Sequence, residues 1–220
     1  SDCKVNPAEK DMPAEDFMRV LDQVRERLDP HKIMVVITGG EPLMRQDLEQ
    51  CGRMIYDKGF PWGVVSNGYA LTEQRLVGLL KAGIHSLTIS LDGLREEHDW
   101  LRGREGSFDH ASKAIEMVCR FNKTCEECGE IFGFSNLKPT DAIKFDVVTC
   151  VNRRNVGKLR EIKDFLVSLG LRNWRLFTIF PVGRAADVPD FRLTKEEMHE
   201  LMRFIIATRK EGKIHAEFTC

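Results

Sequence analysis

A repeated alternation of short apolar runs with amphipathic stretches restricts the fold of this chain more than any other feature. Five runs of apolar, mostly β-branched residues are typical of buried strands. The predicted strands cover residues 32–38, 62–67, 85–91, 144–151 and 173–180. Each is followed by a stretch with apolar residues at helical spacing. Alternation of this kind predicts an α/β fold, a parallel sheet with covering helices.

Helices are predicted where apolar residues recur every three or four positions and capping residues mark the ends. Thr72 is suited to begin one helix, and Thr194 with Glu197 forms a capping box for the last one. The predicted helices cover about 13–28, 45–58, 72–82, 96–101, 108–120 and 159–169, followed by the one that starts at Thr194. The pattern opens on a helix, whereas parallel barrels and doubly wound sheets normally open on a strand. We therefore expect a first strand upstream of residue 1.

The spacing of the strands predicts one insertion. Strand centres near residues 36, 64, 88, 147 and 177 are about 24 to 30 residues apart, close to one βα unit, except between 88 and 147. That gap is about twice as long, and its excess is the polar stretch NKTCEECGEIFGFSNLKPTDA. We interpret residues from about 121 to 143 as an inserted loop.

Charge and hydropathy argue against two classes of partner. The chain has 33 basic and 34 acidic side chains and a net charge of -1, which gives no electrostatic footprint for nucleic acid or an anionic membrane. Its apolar run IMVVI is far shorter than the roughly 20 residues of a membrane span. The polar opening stretch SDCKVNPAEKDMPAED resembles neither a signal nor a transit peptide. We expect no nucleic-acid partner, no membrane and a cytoplasmic protein.

The seven cysteines are scattered and odd in number, which argues against a secreted disulfide framework. Such cysteines are more often small buried hydrophobic residues than ligands. Cys125 and Cys128 form CEEC in the inserted loop, a spacing that metal ligands also use. Three interpretations stay open for this pair: two free thiols, half of a zinc or iron–sulfur site, and a disulfide.

The carboxyl ends of the predicted strands carry TGGEP, SNG, SLDG, TCVN and FPVGRA. In parallel α/β folds these ends form the ligand site, although the same residue types also occur in plain turns. GGEP favours a ligand, because Gly39 and Gly40 leave the backbone bare. Pro42 stiffens the peptide beside Glu41, and a glutamate in that place suits an ammonium group. A dinucleotide site is a poor alternative, since no G-x-G-x-x-G follows a strand.

Taken together, these stretches resemble the radical S-adenosylmethionine enzymes. The resemblance rests on VVITGGEPLMR, VVSNGYAL, LTISLDGLREEHDWLRG and GSFDHA, and it covers nearly the whole chain. It is closest to the branch that modifies peptides and proteins and carries a SPASM extension. The implied fold is a partial, TIM-like (β/α)6 barrel whose first strand is missing here. Residues 1–212 would form the barrel and residues 213–220 the start of a C-terminal extension.

The resemblance also implies a site for S-adenosylmethionine (AdoMet) at the strand ends. Gly39, Gly40 and Glu41 match the family's GGE motif, which binds the amino group of the cofactor. Ser90 and Asp92 resemble the polar pair near its ribose and carboxylate. The remaining predicted cofactor-binding residues are Pro42, Asn67, the carboxylate-binding candidate Arg102, and Asn152 near the adenine and ribose.

The family's CxxxCxxC motif, whose three thiolates hold a [4Fe–4S] cluster, does not occur in this sequence. SDCKVNP resembles the stretch directly after that motif in family members, so Cys3 lies just past the three ligands or is at most the last of them. We expect the motif upstream of residue 1 and interpret the chain as a fragment. In the family, an electron from the cluster cleaves AdoMet to methionine and a 5′-deoxyadenosyl radical, which abstracts hydrogen from the substrate. Flavodoxin or ferredoxin would supply that electron.

Cys220 stands where SPASM-bearing relatives have the first ligand of an auxiliary iron–sulfur cluster. If it is such a ligand, the native chain continues beyond residue 220 and acts on a peptide or protein. The alternative is an incidental cysteine. Two other functions also stay open. One is a decayed barrel that binds a ligand or a protein without radical chemistry. The other is a phosphate-binding metabolic barrel, for which FPVGRA is a feeble candidate.

Overall fold

A computed structural model describes residues 12–180 and 186–219. Six parallel strands form one sheet, in which each strand pairs with the next one in the chain. The strands are β1 Val35–Ile37, β2 Trp62–Ser66, β3 Ile84–Ser90, β4 Lys144–Val151, β5 Asn173–Thr178 and β6 His215–Phe218. Among these residues β1 and β6 lie at opposite edges and do not pair, so the sheet is open. This confirms the predicted α/β fold, an open sheet consistent with a partial TIM-like barrel.

Seven α-helices connect the described strands or flank them. They are α1 Ala14–Arg25, α2 Leu48–Asp57, α3 Glu73–Lys81, α4 Arg95–Arg102, α5 Ser107–Glu126, α6 Leu159–Ser168 and α7 Lys195–Glu211. The Thr72 hydroxyl caps α3 by accepting a hydrogen bond from the backbone N–H of Arg75 at 3.1 Å. Thr194 and Glu197 form the predicted capping box at the start of α7. Capping residues therefore identified both helix starts correctly.

Two elements differ from the sequence-based prediction. Strand β6 was not predicted: HAEF is half polar, has no β-branched residue and falls in the stretch 213–220 that we assigned to an extension. It forms because Ala216 is buried and the strand pairs in parallel with β5. Helix α5 was predicted to end near Arg120 but continues to Glu126, so the first residues of the expected inserted loop are helical. Nothing between Arg120 and Glu126 breaks a helix, and the first glycine after it is Gly129.

The two faces of the sheet differ in polarity. The face against the helices is apolar and buried, with Leu87, Ile89, Val147, Trp174 and Leu176 in the core. On the other face the Thr88 hydroxyl donates to Asp146 Oδ1 at 2.6 Å, and Arg175 pairs with the same carboxylate. Barrel interiors are usually filled by bulky branched side chains. Here a cleft of about 480 Å³ lies along that face, and its lining mixes apolar side chains such as Val36 with the polar side chains of Thr88, Asp146 and Arg175.

The inserted segment packs around a small core of its own. Phe121, Cys125 and Leu137 are buried there. Asn122 closes the segment, since its side chain donates to the carbonyl of Ile143 at 2.8 Å and accepts from the Ile143 N–H at 3.0 Å. Cys125 is buried and Cys128 is exposed, and both are free thiols. In the described ranges no group of three potential ligands could hold a metal ion. The two cysteines therefore form no disulfide here, and the other two interpretations of CEEC, two free thiols and half of a metal site, stay open.

Among the described residues, no helix has the length and apolar character needed to cross a bilayer.

Candidate functional site

The loops that follow β1, β2, β3 and β4 lie together on one side of the sheet, the side at which the strands end; we call it the carboxyl-terminal edge. Parallel strands in chain order bring all of their carboxyl ends to the same side. Glu41, Asn67, Asp92 and Asn152 each lie within four residues of such a strand end. The predicted site residues therefore lie on one edge, as the sequence indicated.

The two glycines after β1 present open backbone. Gly39 has a φ of +135°, a conformation that side-chain-bearing residues rarely adopt, and both Gly39 and Gly40 are exposed. A Cβ built at either position would meet no atom within 4 Å. These glycines are therefore not needed for tight internal packing. Their peptide groups are accessible to a ligand.

Glu41 ties the loop after β1 to the loop after β2. Its Oε1 accepts hydrogen bonds from the Ser66 hydroxyl at 2.7 Å and the Leu43 N–H at 3.0 Å. Its Oε2 accepts from the Asn67 N–H at 2.7 Å. Pro42 is buried at the start of a short 3-10 turn, which holds the glutamate in place. All of these donors are neutral, and no described cation pairs with Glu41, so its negative charge remains available to a ligand.

Asn67 shapes its own loop. Its side-chain oxygen accepts from the Tyr69 N–H at 2.8 Å, a local turn that asparagine favours. Gly68 follows with a φ of +74°, and a Cβ there would lie 3.2 Å from the Cα of Ala111 on α5. The loop after β2 therefore packs closely on α5. In this arrangement the Asn67 N–H holds Glu41 while its side chain holds the turn.

Asp92 follows β3, is buried with 1% exposure, and connects α4 to β4. Its Oδ1 accepts from the Cys150 N–H at 2.9 Å, and its Oδ2 lies 2.6 Å from Nη2 of Arg102. The Asp92 N–H donates to Nδ1 of His98 at 3.0 Å. Burial lowers the pKa of His98 to about 4, so the ring is neutral at pH 7 and can accept this bond. Asp92 thus orients Arg102, whose side chain is 31% exposed.

Asn152 and Asn155 organise the loop after β4. The Asn152 side chain is buried; it donates to the carbonyl of Cys150 at 3.2 Å and accepts from the Arg154 N–H at 2.9 Å. Asn155 is also buried, and its amide donates to the carbonyls of Asp92 and Cys150 at 2.6 and 2.8 Å. Sequence reasoning missed Asn155. An asparagine three positions after Asn152 in a loop is too ordinary a signal to have identified it.

Two predicted residues and one predicted strand end remain. Ser90 ends β3 and is half-buried, and its hydroxyl makes no hydrogen bond with another described residue. Cys220 lies outside the described residues, as does most of the predicted FPVGRA strand end, at 181–185. Among the described residues, the groups of this edge that suit a polar ligand are therefore the glycine backbone, the Glu41 carboxylate, the Ser90 hydroxyl and the Arg102 guanidinium.

The groups at this site fit AdoMet but do not include the ligands of a [4Fe–4S] cluster. Open peptide groups, an uncompensated carboxylate at Glu41 and a guanidinium at Arg102 suit AdoMet, which carries both an ammonium and a carboxylate group. A [4Fe–4S] cluster requires cysteine thiolates. CxxxCxxC is absent from the sequence, and the described part of the chain contains no group of three metal-ligating side chains.

The sequence of this chain is similar to those of known proteins. Residues 3–144 match the profile of the Radical SAM superfamily. The AdoMet-dependent heme synthase of Oleidesulfovibrio alaskensis is 27% identical over 221 residues, covering 100% of this chain and 51% of that protein. The mycofactocin maturase MftC of Mycolicibacterium smegmatis is 33% identical over 177 residues, covering 79% of this chain and 39% of that protein. This chain therefore spans about half the length of the heme synthase that it matches.

A solved structure shares the fold. Streptococcus suis SuiB, bound to its precursor peptide SuiA, superposes with a TM-score of 0.68 and 15% sequence identity. The superposition covers 96% of this chain and 43% of SuiB. At this identity the likeness concerns the arrangement of strands and helices.

Proposed function

The chain belongs to the radical SAM superfamily, and we propose that the native protein cleaves AdoMet reductively and uses the resulting radical on a peptide or protein substrate. The family match over residues 3–144 carries this proposal. When bound together, AdoMet and a reduced [4Fe–4S] cluster supply a 5′-deoxyadenosyl radical that abstracts hydrogen. The protein supplies binding, orientation and the exclusion of water.

The loop after β1 would hold the amino end of AdoMet. Glu41 would face the ammonium group, since no described cation pairs with it, while Gly39 and Gly40 offer peptide carbonyls. Pro42 fixes the glutamate and Asn67 donates to it, so the carboxylate keeps its position before the ligand arrives. Preorganisation of this kind lowers the cost of binding.

The loops after β3 and β4 would hold the other end of AdoMet. Arg102 suits the cofactor's carboxylate, and Ser90 offers a ribose or carboxylate oxygen a hydroxyl that has no hydrogen-bond partner among the described residues. Asp92 and Asn152 would act indirectly, because their side chains are buried and already hydrogen-bonded. In this proposal they position Arg102 and the β4 loop rather than contact the cofactor.

Further elements of the proposal concern parts of the protein outside the described residues. Three cysteines upstream of residue 1 would hold the radical-generating cluster. Cys220, two residues after β6, would begin the ligand set of an auxiliary cluster in a SPASM extension. The partners would be a flavodoxin or ferredoxin and the substrate, in the cytoplasm.

Two substrate classes have support. A peptide or protein substrate is supported by the fold shared with SuiB, which was solved with its precursor peptide, and by the similarity to a maturase. A tetrapyrrole is the second candidate, because the heme synthase aligns over 100% of this chain, at 27% identity. The candidate site would bind AdoMet in both cases and does not distinguish them.

The test uses the native full-length protein, reconstituted anaerobically with iron and sulfide and reduced with dithionite. We expect 5′-deoxyadenosine from AdoMet, and faster production with a peptide encoded beside its gene, together with a mass change in that peptide. Acceleration by iron-coproporphyrin III and not by the peptide would select the tetrapyrrole. A protein with intact clusters that yields no 5′-deoxyadenosine would refute the enzymatic proposal.

A further inference from the structure

Two arginines are stacked on aromatic rings along the edge that carries the candidate site. The guanidinium of Arg104 lies 3.8 Å from the ring centroid of Tyr69. The guanidinium of Arg154 lies 4.1 Å from that of Trp100, whose ring also meets Phe191 edge-on at 5.8 Å. We call these five residues the arginine–aromatic rim.

The rim follows the strand ends of the candidate site. Tyr69 lies three residues after β2, and Arg154 lies three residues after β4. Trp100 is on α4 and Arg104 just after it, in the connection that follows β3. The rim therefore borders the loops that hold Glu41 and Asp92.

Neither rim arginine is neutralised by a described carboxylate. Some other surface arginines are neutralised: Arg95 forms a two-bond pair with Asp109, and Arg172 forms one with Glu126. Arg104 and Arg154 instead rest on aromatic faces. The chain as a whole has a net charge of -1, so it carries no general positive charge.

The rim has the composition of a protein-binding surface. Tryptophan, tyrosine and arginine are the residues most enriched at the centres of such interfaces. Trp100 is 37% exposed despite its size. Stacking also restrains the two guanidinium groups before any partner arrives, which reduces the side-chain ordering that binding must impose. An acidic surface would complement them and would be steered toward them.

We propose that the arginine–aromatic rim is the docking surface for an acidic electron-donor protein. This rests on the proposed function, in which each AdoMet cleavage consumes one electron delivered to this edge. Electron-transfer complexes bury little surface area and depend strongly on charge. Two arginines without a described carboxylate partner, beside one exposed tryptophan, form a small charged surface of that kind. The donor is a flavodoxin or ferredoxin whose acidic side chains face Arg104 and Arg154.

The first measurement is binding and requires no catalysis. Oxidised flavodoxin is titrated calorimetrically into the native full-length protein and into its Arg104→Glu and Arg154→Glu variants. We expect each reversal to weaken binding about tenfold at low ionic strength and much less at about 0.5 M salt, because salt screens exposed charges. The matched control is Arg203→Glu, an exposed arginine on α7, which should bind as the wild type does.

The second measurement separates the electron donor from the substrate. AdoMet cleavage is driven by flavodoxin hydroquinone or by dithionite, which bypasses docking. We expect the reversals to slow only the flavodoxin-driven reaction. Unchanged flavodoxin binding would overturn the proposal. A loss of peptide-dependent turnover with dithionite would also overturn it, since the rim would then serve an acidic substrate. Failure of dithionite-driven cleavage in the wild type would instead refute the proposed function and leave the binding result standing.

Discussion

The side-chain amide of Asn155 donates a hydrogen bond to the backbone carbonyl of Asp92 at 2.6 Å, across 63 positions of sequence. The same amide donates to the carbonyl of Cys150 at 2.8 Å, and its oxygen accepts from the Asn152 N–H at 2.8 Å. Asn155 is fully buried, so water does not compete for these bonds. One side chain therefore fixes the β3 loop against the β4 loop.

Asn155→Ala should lower the free energy of unfolding by roughly 1–3 kcal/mol, because it leaves buried carbonyls without a donor. Urea denaturation measures this loss. In the native protein the variant should also bind AdoMet about tenfold more weakly, because the loops after β3 and β4 lose their relative position.

The matched control for this variant is Asn122→Ala. Asn122 also clamps backbone through its side chain, but it does so at Ile143, on the opposite edge of the sheet. We expect a similar loss of stability with no change in AdoMet affinity. If both variants lose affinity equally, the effect of Asn155 is a general loss of stability and not a positioning of the site.

Glu41→Gln should weaken AdoMet binding in the native protein by roughly 1.5–3 kcal/mol, because a charge-assisted bond is lost. Anaerobic calorimetry measures it. Ser66→Ala is the control: it removes one 2.7 Å bond to Glu41 and leaves the carboxylate charged, so a smaller loss of roughly 0.5–1.5 kcal/mol is expected. Wild-type affinity in Glu41→Gln would exclude the glutamate from the ammonium site.

His98 should make the protein less stable as the pH falls. Burial is the largest cause of its pKa of about 4; the nearby Asp92 carboxylate raises this pKa and Arg102 lowers it. Below about pH 6.5 the unfolded chain binds a proton that the folded one does not, so stability decreases until about pH 4. Over that range the loss from this group is about 3 kcal/mol.

Urea denaturation at about pH 7, 5.5 and 4.5 tests this dependence on pH. His98→Gln should flatten the decline, whatever its effect on stability at neutral pH. His199→Gln alters an exposed histidine on α7 and should leave the slope as it is in the wild type. Equal slopes in the wild type and His98→Gln would show that another group is responsible.

The strands that the sequence predicted share a property that β6 lacks. β3 and β4 are runs of β-branched and apolar residues buried on the helix-facing side, so their pattern is independent of their neighbours. β6 has four residues, of which Ala216 alone is buried. Pairing with β5 determines its conformation, and a tertiary contact of that kind leaves no periodic signal in the sequence.

The residues of the candidate site also divide into those that the sequence could identify and those that it could not. Gly39, Gly40 and Glu41 were identifiable because adjacent residues carry the signal. The donors to Glu41 were not, since Ser66 lies 25 positions away and Asn67 contributes its backbone. Sequence also could not show that Asp92 is buried and engaged, because its partners come from α4 and β4. Long-range hydrogen bonds to the main chain explain most of what sequence reasoning missed.

The thiols of α5 and of the inserted segment should react at different rates. Cys128 is exposed, whereas burial raises the pKa of Cys125 to about 11 and that of Cys119 to about 12. The thiolate is the reactive form, so at about pH 8 Cys128 should label with maleimide well before the other two. Peptide mapping by mass spectrometry resolves each position. Protection of Cys128 by added zinc would instead support the half-site interpretation of CEEC.

The 220-residue chain alone should not assemble the radical-generating cluster. Its sequence has no CxxxCxxC, and in the described ranges no three cysteines, histidines or acids converge. After anaerobic reconstitution with iron and sulfide we expect much less than one full cluster of iron per chain, and no 5′-deoxyadenosine from AdoMet and dithionite. Binding of AdoMet without cleavage agrees with this expectation, because Glu41 and the glycine backbone belong to this chain. Stoichiometric iron with cleavage of AdoMet would show that cysteines already present, such as Cys3, suffice to hold the cluster.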